Sequence, residues 1–529
     1  MKQLIVSKIE EVLKSLQAEG ILPVFDVVEV HVEPPKDEQF GEYTSNIALM
    51  MSKGLGKNPR EIAVLLQGKL EGDFARVEVA GPGHLNFYLK ESAFAQVVTE
   101  VLEKQNQFGD SQFGGGVTVN NEFISANPTG PLHLGNGRGG FYGDSLSRLL
   151  RKTGFAVTNE YYINDAGEQV TKLGHSVLQD EEAVYGGEYI LELKQKMGEL
   201  EKDAFEVGKR AALIVVRDYI RPTVEQGMQI QFDTWTSEYD LVQSGRVEQA
   251  IKIFEEQGRT FEEEGALWLR TTEFGDDKDR VLIKSDGTKT YFASECGYIL
   301  SKMEQNFGMM IEIWGADHHG YVSRFEAAAR ALGYTGGIKF LLMQLVKLVK
   351  NGEEVRMSKR AGNVVTMDEL LELVGHDVTR FFFLQYSPDT HMTFDLGLAE
   401  ERSQKNPVFY VQYAHARMSS ILEKGQELGV DIQDADLSLL SHEKEKTVMR
   451  EMLVFQEFLE SAAHDCAPHR LPQLAIRLAD KFHSYYAECQ VIDTENKELS
   501  QARLAMVTAT KIVLGETLRL IGVSAPEKM

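Results

Sequence analysis

The start of the chain alternates apolar and polar residues with the period of an amphipathic helix. Apolar residues from Leu4 to Leu16 recur at three- and four-residue spacing, and Gly20 ends the pattern. Further helices are predicted at about residues 44–55 and after Pro59, whereas the apolar stretch 77–89 predicts two strands around a Gly-Pro-Gly turn. Residues 1–112 are therefore predicted to form a small α+β domain.

The pattern changes at about residue 113. A strand candidate at residues 117–124 leads into a turn rich in proline and glycine, then a helix, then a second strand candidate at residues 155–163. This order is a βαβ unit, and its glycine turn lies at the carboxyl end of the first strand, where α/β sheets bind nucleotides. We predict a doubly wound α/β domain over residues 113–400, with a largely helical, highly charged insertion at about 179–261.

Helical periodicity dominates the last part of the chain, so residues 401–529 are predicted to form an α-helical bundle. No apolar run reaches the roughly 18 residues that a membrane span needs. The three cysteines lie far apart and form no C-x-x-C motif, which argues against disulfides and a cysteine zinc site. The sequence thus predicts a soluble protein of a reducing compartment, without membrane association.

The balance of charged residues limits the kinds of nucleic-acid binding that the sequence allows. With 56 Lys and Arg against 80 Asp and Glu, the formal net charge is −24. A protein that coats nucleic acids unspecifically would be basic and is excluded. Recognition of one nucleic acid through a local basic groove stays possible, provided that the acidic residues segregate, as the clusters at residues 181–206 and 255–264 suggest.

Two short motifs carry candidate chemistry. In the glycine turn, His133 and Asn136 flank Gly135, and imidazole and amide groups beside a helix N-terminus can bind phosphates. About 220 residues later, the sequence RMSKRAGN at residues 356–363 places three cations and a serine on a glycine-containing loop. Taken singly, the first motif is an ordinary turn and the second a solvated basic loop. Taken together, they indicate a nucleotide site.

The pair resembles the two signatures of class I aminoacyl-tRNA synthetases, His-Ile-Gly-His and Lys-Met-Ser-Lys-Ser. Asn136 replaces the second histidine, while Lys359 keeps the inner lysine. Longer strings along essentially the whole chain, among them EFISANPTGPLHLGNGRG, WGADHHGY and NPVFYVQYAHAR, resemble arginyl-tRNA synthetases of the bacterial type. That resemblance implies a Rossmann-type catalytic domain between an N-terminal tRNA-contacting domain and a helical anticodon-binding domain.

The resemblance also implies a reaction. Arginine and ATP, with Mg²⁺, would form arginyl-adenylate, and the arginyl group would then pass to tRNA(Arg). The catalytic residues would be His133, Asn136 and Lys359. The ATP-binding residues would be His133, Gly135, Asn136, Asp317, His318, Arg356, Met357, Ser358 and Lys359. A metal site at Asp317, His318 and His319 is not expected, because adjacent residues point to different sides and no third ligand has suitable spacing.

Six further residues match the positions that bind arginine in the family, namely Glu122, Ser125, Asn127, Tyr291, Glu295 and Gln344. Glu295 departs from the family, which has aspartate there. The extra methylene shifts the carboxylate by about one bond length, and guanidinium pairing is geometrically exacting.

Tyr410, Tyr413 and Arg417 share one face of a predicted helix, and the resemblance implies that they bind tRNA. On periodicity alone they are a helix-packing stripe. The family resemblance further implies a monomeric, cytoplasmic protein. Two alternatives are a synthetase-derived tRNA-binding or regulatory protein without aminoacylation activity, and a small-molecule adenylyltransferase. A helical C-terminal module argues against the adenylyltransferase.

Overall fold

The computed structural model describes residues 1–23, 29–35, 37–199, 201–350, 352–355 and 365–529. Its elements follow the predicted order, with a small α+β unit, an α/β unit built on a parallel sheet, and a helical bundle. The exact domain bounds stay predictions.

The N-terminal unit packs helices on an antiparallel sheet with strand order β1-β2-β4-β3. Its elements are α1 (Lys2–Ala18), β1 (Val32–Glu33), β2 (Tyr43–Ser45), α2 (Ile47–Leu55), α3 (Pro59–Leu70), β3 (Arg76–Ala80), β4 (His84–Tyr88) and α4 (Glu91–Lys104). The apolar face of α1 is buried, including Ile5, Ile9 and Leu13, as the periodicity predicts.

The central unit contains the elements that position the candidate site. They are β5 (Thr118–Glu122), α5 (Leu134–Lys152), β6 (Ala156–Ile163), α6 (Glu168–Leu178), α7 (Glu188–Met197), α8 (Ala204–Val215), β7 (Thr234–Ser237), α9 (Glu238–Gln243), α10 (Arg246–Glu256), β8 (Thr260–Glu263), β9 (Ala266–Leu269), β10 (Arg280–Ile283), α11 (Tyr291–Glu304), β11 (Met309–Gly315), α12 (Val322–Ala331), β12 (Gly337–Met343), β13 (Val346–Lys350), β14 (Glu353–Glu354), α13 (Met367–Val374), α14 (His376–Leu384), β15 (Met392–Asp395) and α15 (Leu396–Glu400).

Five parallel strands form the main sheet of this unit, in the order β12-β11-β5-β6-β7. Strand β5 lies in the middle, and the chain continues to β6 and β7 on one side but to β11 and β12 on the other. Such a reversal of strand order leaves a crevice at the carboxyl ends of the strands. Two smaller sheets accompany it: β10-β9-β8, between β7 and β11 in the sequence, and β14-β13-β15, whose strands follow β12.

Residues 179–261, predicted to be a largely helical insertion, also contribute a strand to the main sheet near their end. Thr234–Ser237 pairs in parallel with β6 and forms the edge of the main sheet as β7. The ring of Trp235 stacks on Tyr161, with ring centroids 4.4 Å apart. A strand of four residues between charged helices is too short to show a strand period in the sequence.

The C-terminal bundle consists of α16 (Pro407–Glu427), α17 (Glu443–Leu453), α18 (Phe455–His464), α19 (Arg470–Glu488) and α20 (Lys497–Ile521). The N-terminal unit packs against this bundle. Phe108 stacks on Phe455 with centroids 5.7 Å apart, and Arg450 Nε pairs with Glu42 Oε1 at 2.9 Å. Within the described ranges, no helix combines the length and the apolar character that crossing a membrane requires.

Candidate active site

A cavity of about 270 Å³ opens at the carboxyl ends of the central strands. Four glutamates and one arginine lie in its walls, together with several aromatic rings. The charged lining residues are Glu122, Glu238, Glu295, Glu312 and Arg324, and the large aromatic ones are Tyr162, Tyr291, Tyr298, Trp314 and Phe325. Carboxylates that outnumber cations, beside flat apolar walls, suit a cationic ligand with an apolar stem.

Strand register brings three of the chain's glutamates into one row. Glu312 on β11 is the partner of Glu122 on β5, which is the partner of Glu160 on β6. Lys302 from α11 is fully buried against this row, with Nζ 2.6 Å from Glu122 Oε2 and 2.5 Å from Glu312 Oε1. One ammonium thus serves three buried carboxyl groups.

The pKa values of Glu122 and Glu312 shift in opposite directions. Burial opposes the charged form of Glu122, but the Lys302 ammonium overrides that effect and holds the pKa of Glu122 below its ordinary value. Burial raises the pKa of Glu312 well above its ordinary value, and Lys302 only partly opposes the rise. Of the two, Glu122 is the carboxyl group whose charged form Lys302 favours over the effect of burial.

Glu295 lines the same cavity but already has a guanidinium partner within the chain. Its Oε2 lies 2.7 Å from Arg324 Nη2 on α12. Burial raises the pKa of Glu295 to about 6, and the charge of Arg324 limits the rise. The longer side chain at this position therefore pairs with an internal arginine before any ligand arrives.

Glu238 belongs to the cavity although the sequence analysis does not identify it. Only 6% of the residue is exposed, and within the described ranges its Oε2 has no hydrogen-bond partner. Burial, with a smaller effect from Asp165, raises the pKa of Glu238 to about 7. An unpartnered buried carboxyl in a ligand cavity is a strong candidate for a ligand contact.

The other residues predicted to bind arginine divide into two groups. Ser125 and Tyr291 line the cavity, and the Ser125 hydroxyl accepts a hydrogen bond from Tyr162 N at 3.1 Å. Tyr291 is 63% exposed at the start of α11, and its hydroxyl accepts from Glu168 N. Asn127 is exposed and Gln344 donates its backbone N–H to Pro388, and neither lines the cavity. Their roles stay predictions.

His133 and Asn136 form the N-terminal cap of α5. Nδ1 of His133 accepts from the N–H groups of Gly135 and Asn136, at 3.1 and 3.4 Å, and Asn136 Oδ1 accepts from His133 N at 3.1 Å. A Cβ on residue 135 would lie 3.0 Å from the His133 ring, so glycine permits this fold-back. The cap leaves Nε2–H and the Asn136 amide as donors at a helix N-terminus, which favours phosphate.

Asp317 and His318 follow β11 and approach the same end of the sheet. Desolvation of the His133 ring lowers its pKa, while the charge of Asp317 acts in the opposite direction. His318 lines the cavity beside Trp314, with ring centroids 6.2 Å apart. The structure therefore brings the cap of α5 and the turn after β11 together. Arg356, Met357, Ser358 and Lys359 lie outside the described residues, and their roles stay predictions.

Comparison with known proteins identifies the family. The model of the arginyl-tRNA synthetase N-terminal domain matches residues 3–89, that of the class I (R) catalytic domain residues 178–381, and that of the DALR anticodon-binding domain residues 411–529. A curated arginine–tRNA ligase of Listeria welshimeri is 42% identical, over 97% of this chain and 97% of its own. The chain belongs to the arginyl-tRNA synthetase family.

Solved structures agree with this assignment. A putative arginyl-tRNA synthetase from Campylobacter jejuni shares 32% identity, with a TM-score of 0.75, over 83% of this chain and all of its own. The Thermus thermophilus arginyl-tRNA synthetase covers both chains completely with a TM-score of 0.77, and at 23% identity it supports the fold alone. The predicted family and fold class are confirmed, and nothing favours the alternative of a non-catalytic binding protein.

In this synthetase, the three residues predicted to bind tRNA lie on α16, facing α19. Tyr410 donates its hydroxyl to Asp480 Oδ1 at 2.5 Å, and Arg417 Nη1 donates to the Tyr413 hydroxyl at 2.7 Å. The Arg417 guanidinium also lies 4.3 Å from the ring centre of Tyr486. All three predicted residues are half-buried, so the face both packs against α19 and offers ring edges and a cation to solvent. Their contact with tRNA stays a prediction.

Within the described ranges, no group of three or more histidine, cysteine, aspartate or glutamate side chains has the arrangement of a metal site.

Proposed function

We propose that this protein ligates L-arginine to tRNA(Arg) at the expense of ATP. The observation that carries the proposal is the cavity at the strand ends, where four glutamates face one arginine in a chain of the arginyl-tRNA synthetase family. A guanidinium presents five N–H donors in a planar fork, so it needs several carboxylate oxygens held in fixed directions.

The cavity suggests how the substrate guanidinium is held. We assign it to Glu122 and Glu238, with Glu295 as a third carboxylate that shares its charge with Arg324. Tyr291 and Tyr162 would flank the aliphatic stem. At the other end of the substrate, Ser125, Asn127 and Gln344 are proposed to bind the α-ammonium group, as the family resemblance implies.

ATP is proposed to bind where α5 begins. Nε2 of His133 and the amide of Asn136 would donate to phosphate oxygens, and Gly135 would leave room for the adenine. Asp317 and His318 would complete the ATP site, together with Arg356, Met357 and Ser358. Mg²⁺ would accompany ATP as the counterion of its phosphates.

The reaction would proceed in two steps, an in-line displacement at phosphorus followed by acyl transfer to the tRNA. The arginine carboxylate attacks the α-phosphorus of ATP, so a new P–O bond forms while the bond to pyrophosphate breaks. Lys359 would stabilise the charge that develops on the pyrophosphate. The 2′-hydroxyl of the terminal adenosine of tRNA then attacks the arginyl carbonyl, and AMP leaves. Tyr410, Tyr413 and Arg417 would contact the anticodon region. A monomeric state and a cytoplasmic location are part of the same proposal.

Aminoacylation with each amino acid tests this function directly. We expect arginine alone among the standard amino acids to be attached to tRNA(Arg), and canavanine to compete better than lysine, because a point-charge ammonium cannot pair bidentately. ATP–pyrophosphate exchange measured with and without tRNA separates the first step from the second, and we expect little exchange without tRNA. Attachment of another amino acid in preference to arginine would contradict the proposal.

A further inference from the structure

Lys302 has no assigned role, although its position beneath the substrate cavity is unusual. Within the described ranges it is the only cation in contact with the row formed by Glu122, Glu160 and Glu312, and its side chain is fully buried. Its Nζ lies 3.9 Å from Glu160 Oε2, farther than from the other two glutamates. Burying an ammonium group costs free energy unless carboxylates compensate its charge. Burying carboxylates likewise costs free energy unless a cation compensates theirs.

The contacts of Lys302 are directional. Lys302 Nζ and the Tyr298 hydroxyl both donate to the same oxygen of Glu122, Oε2, at 2.6 and 2.7 Å. Tyr298 and Lys302 are four residues apart on α11, so they lie on one face of that helix. Neither residue engages the second oxygen of Glu122, Oε1. The pair thereby anchors Oε2 of a carboxylate that lines the cavity, while the Glu312 side chain makes a further contact with the same carboxyl group.

We propose that Lys302 is a positioning residue for arginine recognition, which keeps Glu122 ionised and oriented so that Oε1 accepts the substrate guanidinium. This inference rests on the proposed function. Lys302 touches no substrate atom; it acts through Glu122. The opposite directions of the pKa shifts at Glu122 and Glu312 agree with this role, since the Lys302 ammonium overrides the effect of burial at Glu122 but only partly opposes it at Glu312.

The inference makes a prediction that simple packing does not. Without Lys302, burial would raise the pKa of Glu122, and the group would hold a proton near neutral pH. A protonated carboxyl group is a poor acceptor for a guanidinium. Arginine affinity should therefore fall most at low pH and recover as the pH rises and Glu122 ionises. A purely structural loss would lower affinity by the same factor at every pH.

The test is calorimetric titration of the full chain with arginine, between about pH 6 and 9. Lys302→Met is expected to weaken arginine binding about tenfold or more near neutral pH. The ratio of its dissociation constant to that of the wild type should shrink as the pH rises. A matched control is available. Lys152→Met removes another buried lysine, at the far end of α5. It should retain nearly wild-type affinity at every pH.

If Lys302→Met does not fold, Tyr298→Phe removes the other donor to Glu122 Oε2, and a smaller loss with the same pH trend is expected. The inference is overturned if the ratio of the dissociation constants of variant and wild type stays constant with pH. It is also overturned if Lys152→Met loses as much arginine affinity as Lys302→Met. The proposed function fails separately, if the wild type neither binds arginine nor attaches it to tRNA.

Discussion

The two ends of the main parallel sheet hold charged cavities of opposite character. At the amino end, a cavity of about 470 Å³ is lined by Arg148, Arg151, Lys152 and Arg519. Each of these cations has a carboxylate partner within 3.3 Å. At the carboxyl end, four glutamates line the cavity with a single arginine, and one buried lysine lies beneath.

The difference distinguishes a structural charge cluster from a ligand site. Lys152 at the amino end bridges Asp110 and Glu516, at 2.6 and 2.9 Å, and ties α5 to α20 without an excess of charge. At the carboxyl end, Glu238 Oε2 has no hydrogen-bond partner among the described residues, and burial raises the pKa of Glu312 well above its ordinary value. Buried carboxyl groups in excess of cations are stable only when they bind protons or a cationic ligand. We therefore propose that the uncompensated end is the binding end.

The largest expected effect belongs to the chemistry at the carboxyl end. Lys359→Ala should slow adenylate formation by about 10² to 10³, since loss of a transition-state charge contact costs about 3–4 kcal/mol. Arginine binding should change little. Pyrophosphate exchange in the presence of tRNA measures the rate, and Arg151→Met at the amino end is the control. An exchange rate within about twofold of the wild type would show that the role assigned to Lys359 is wrong.

The amino end should respond in stability rather than in activity. Lys152→Met leaves Glu516, which is almost fully buried, without one of its cations, and removal of one partner of a buried pair costs about 3 kcal/mol or more. We expect a lower urea midpoint with arginine affinity unchanged. A loss of arginine affinity without loss of stability would show that the two ends of α5 are coupled, which would weaken the contrast between the cavities.

Glu122→Gln tests the carboxyl end without changing its shape. A hydrogen bond to a charged group contributes about 1.5–3 kcal/mol, so arginine affinity should fall by about one to two orders of magnitude while ATP affinity stays the same. Asp110→Asn is the matched control at the amino end. Equal discrimination between arginine and lysine before and after the Glu122 change would place Glu122 outside the arginine site.

Glu238→Gln should have a smaller effect with a characteristic pH profile. Because the pKa of Glu238 in the free protein is about 7, the wild type should bind arginine more tightly as the pH rises through that value. The raised pKa also means that stability falls as the pH rises from about 4.5 through about 7, since the unfolded chain ionises this group first. In the variant, both pH dependences should flatten over this window. An unchanged pH profile of arginine affinity would contradict a ligand role for Glu238.

Local patterns account for the part of this molecule that the sequence predicts. The buried face of α1 follows from three- and four-residue spacing, and the β5–α5–β6 unit follows from a glycine turn between two strands. The family resemblance brought Glu122 and Glu295 into the predicted site, and both line one cavity. These features depend on neighbours in the sequence or on motifs long enough to be distinctive.

The features that the sequence did not predict depend on strand register and on tertiary contacts between segments that are distant in the sequence. Glu238 is identified only in the structure, because it directly follows β7, whose place at the edge of the sheet puts it beside the cavity. Lys302 looks like an ordinary helix lysine, and only the alignment of β5 with β11 places it beneath two glutamates. The sequence leaves open whether Glu295 can substitute for aspartate, and only the structure shows that Glu295 Oε2 lies 2.7 Å from Arg324 Nη2.

The smallest expected effect concerns tRNA binding by the helical bundle. Arg417→Gln should weaken tRNA binding about threefold and reduce the salt slope of log affinity by about 0.7, the share of one phosphate contact on single-stranded RNA. Tyr413→Phe removes the hydroxyl that accepts from Arg417 but keeps the ring, so stacking on an unpaired base should persist and the loss should be smaller. Filter binding over a range of salt concentrations measures both quantities, and thermal melting of each variant tests the packing role of the face. If Arg417→Gln lowers the melting temperature while tRNA affinity and salt slope stay unchanged, the face between α16 and α19 is a helix-packing contact and the RNA path lies elsewhere on this acidic protein.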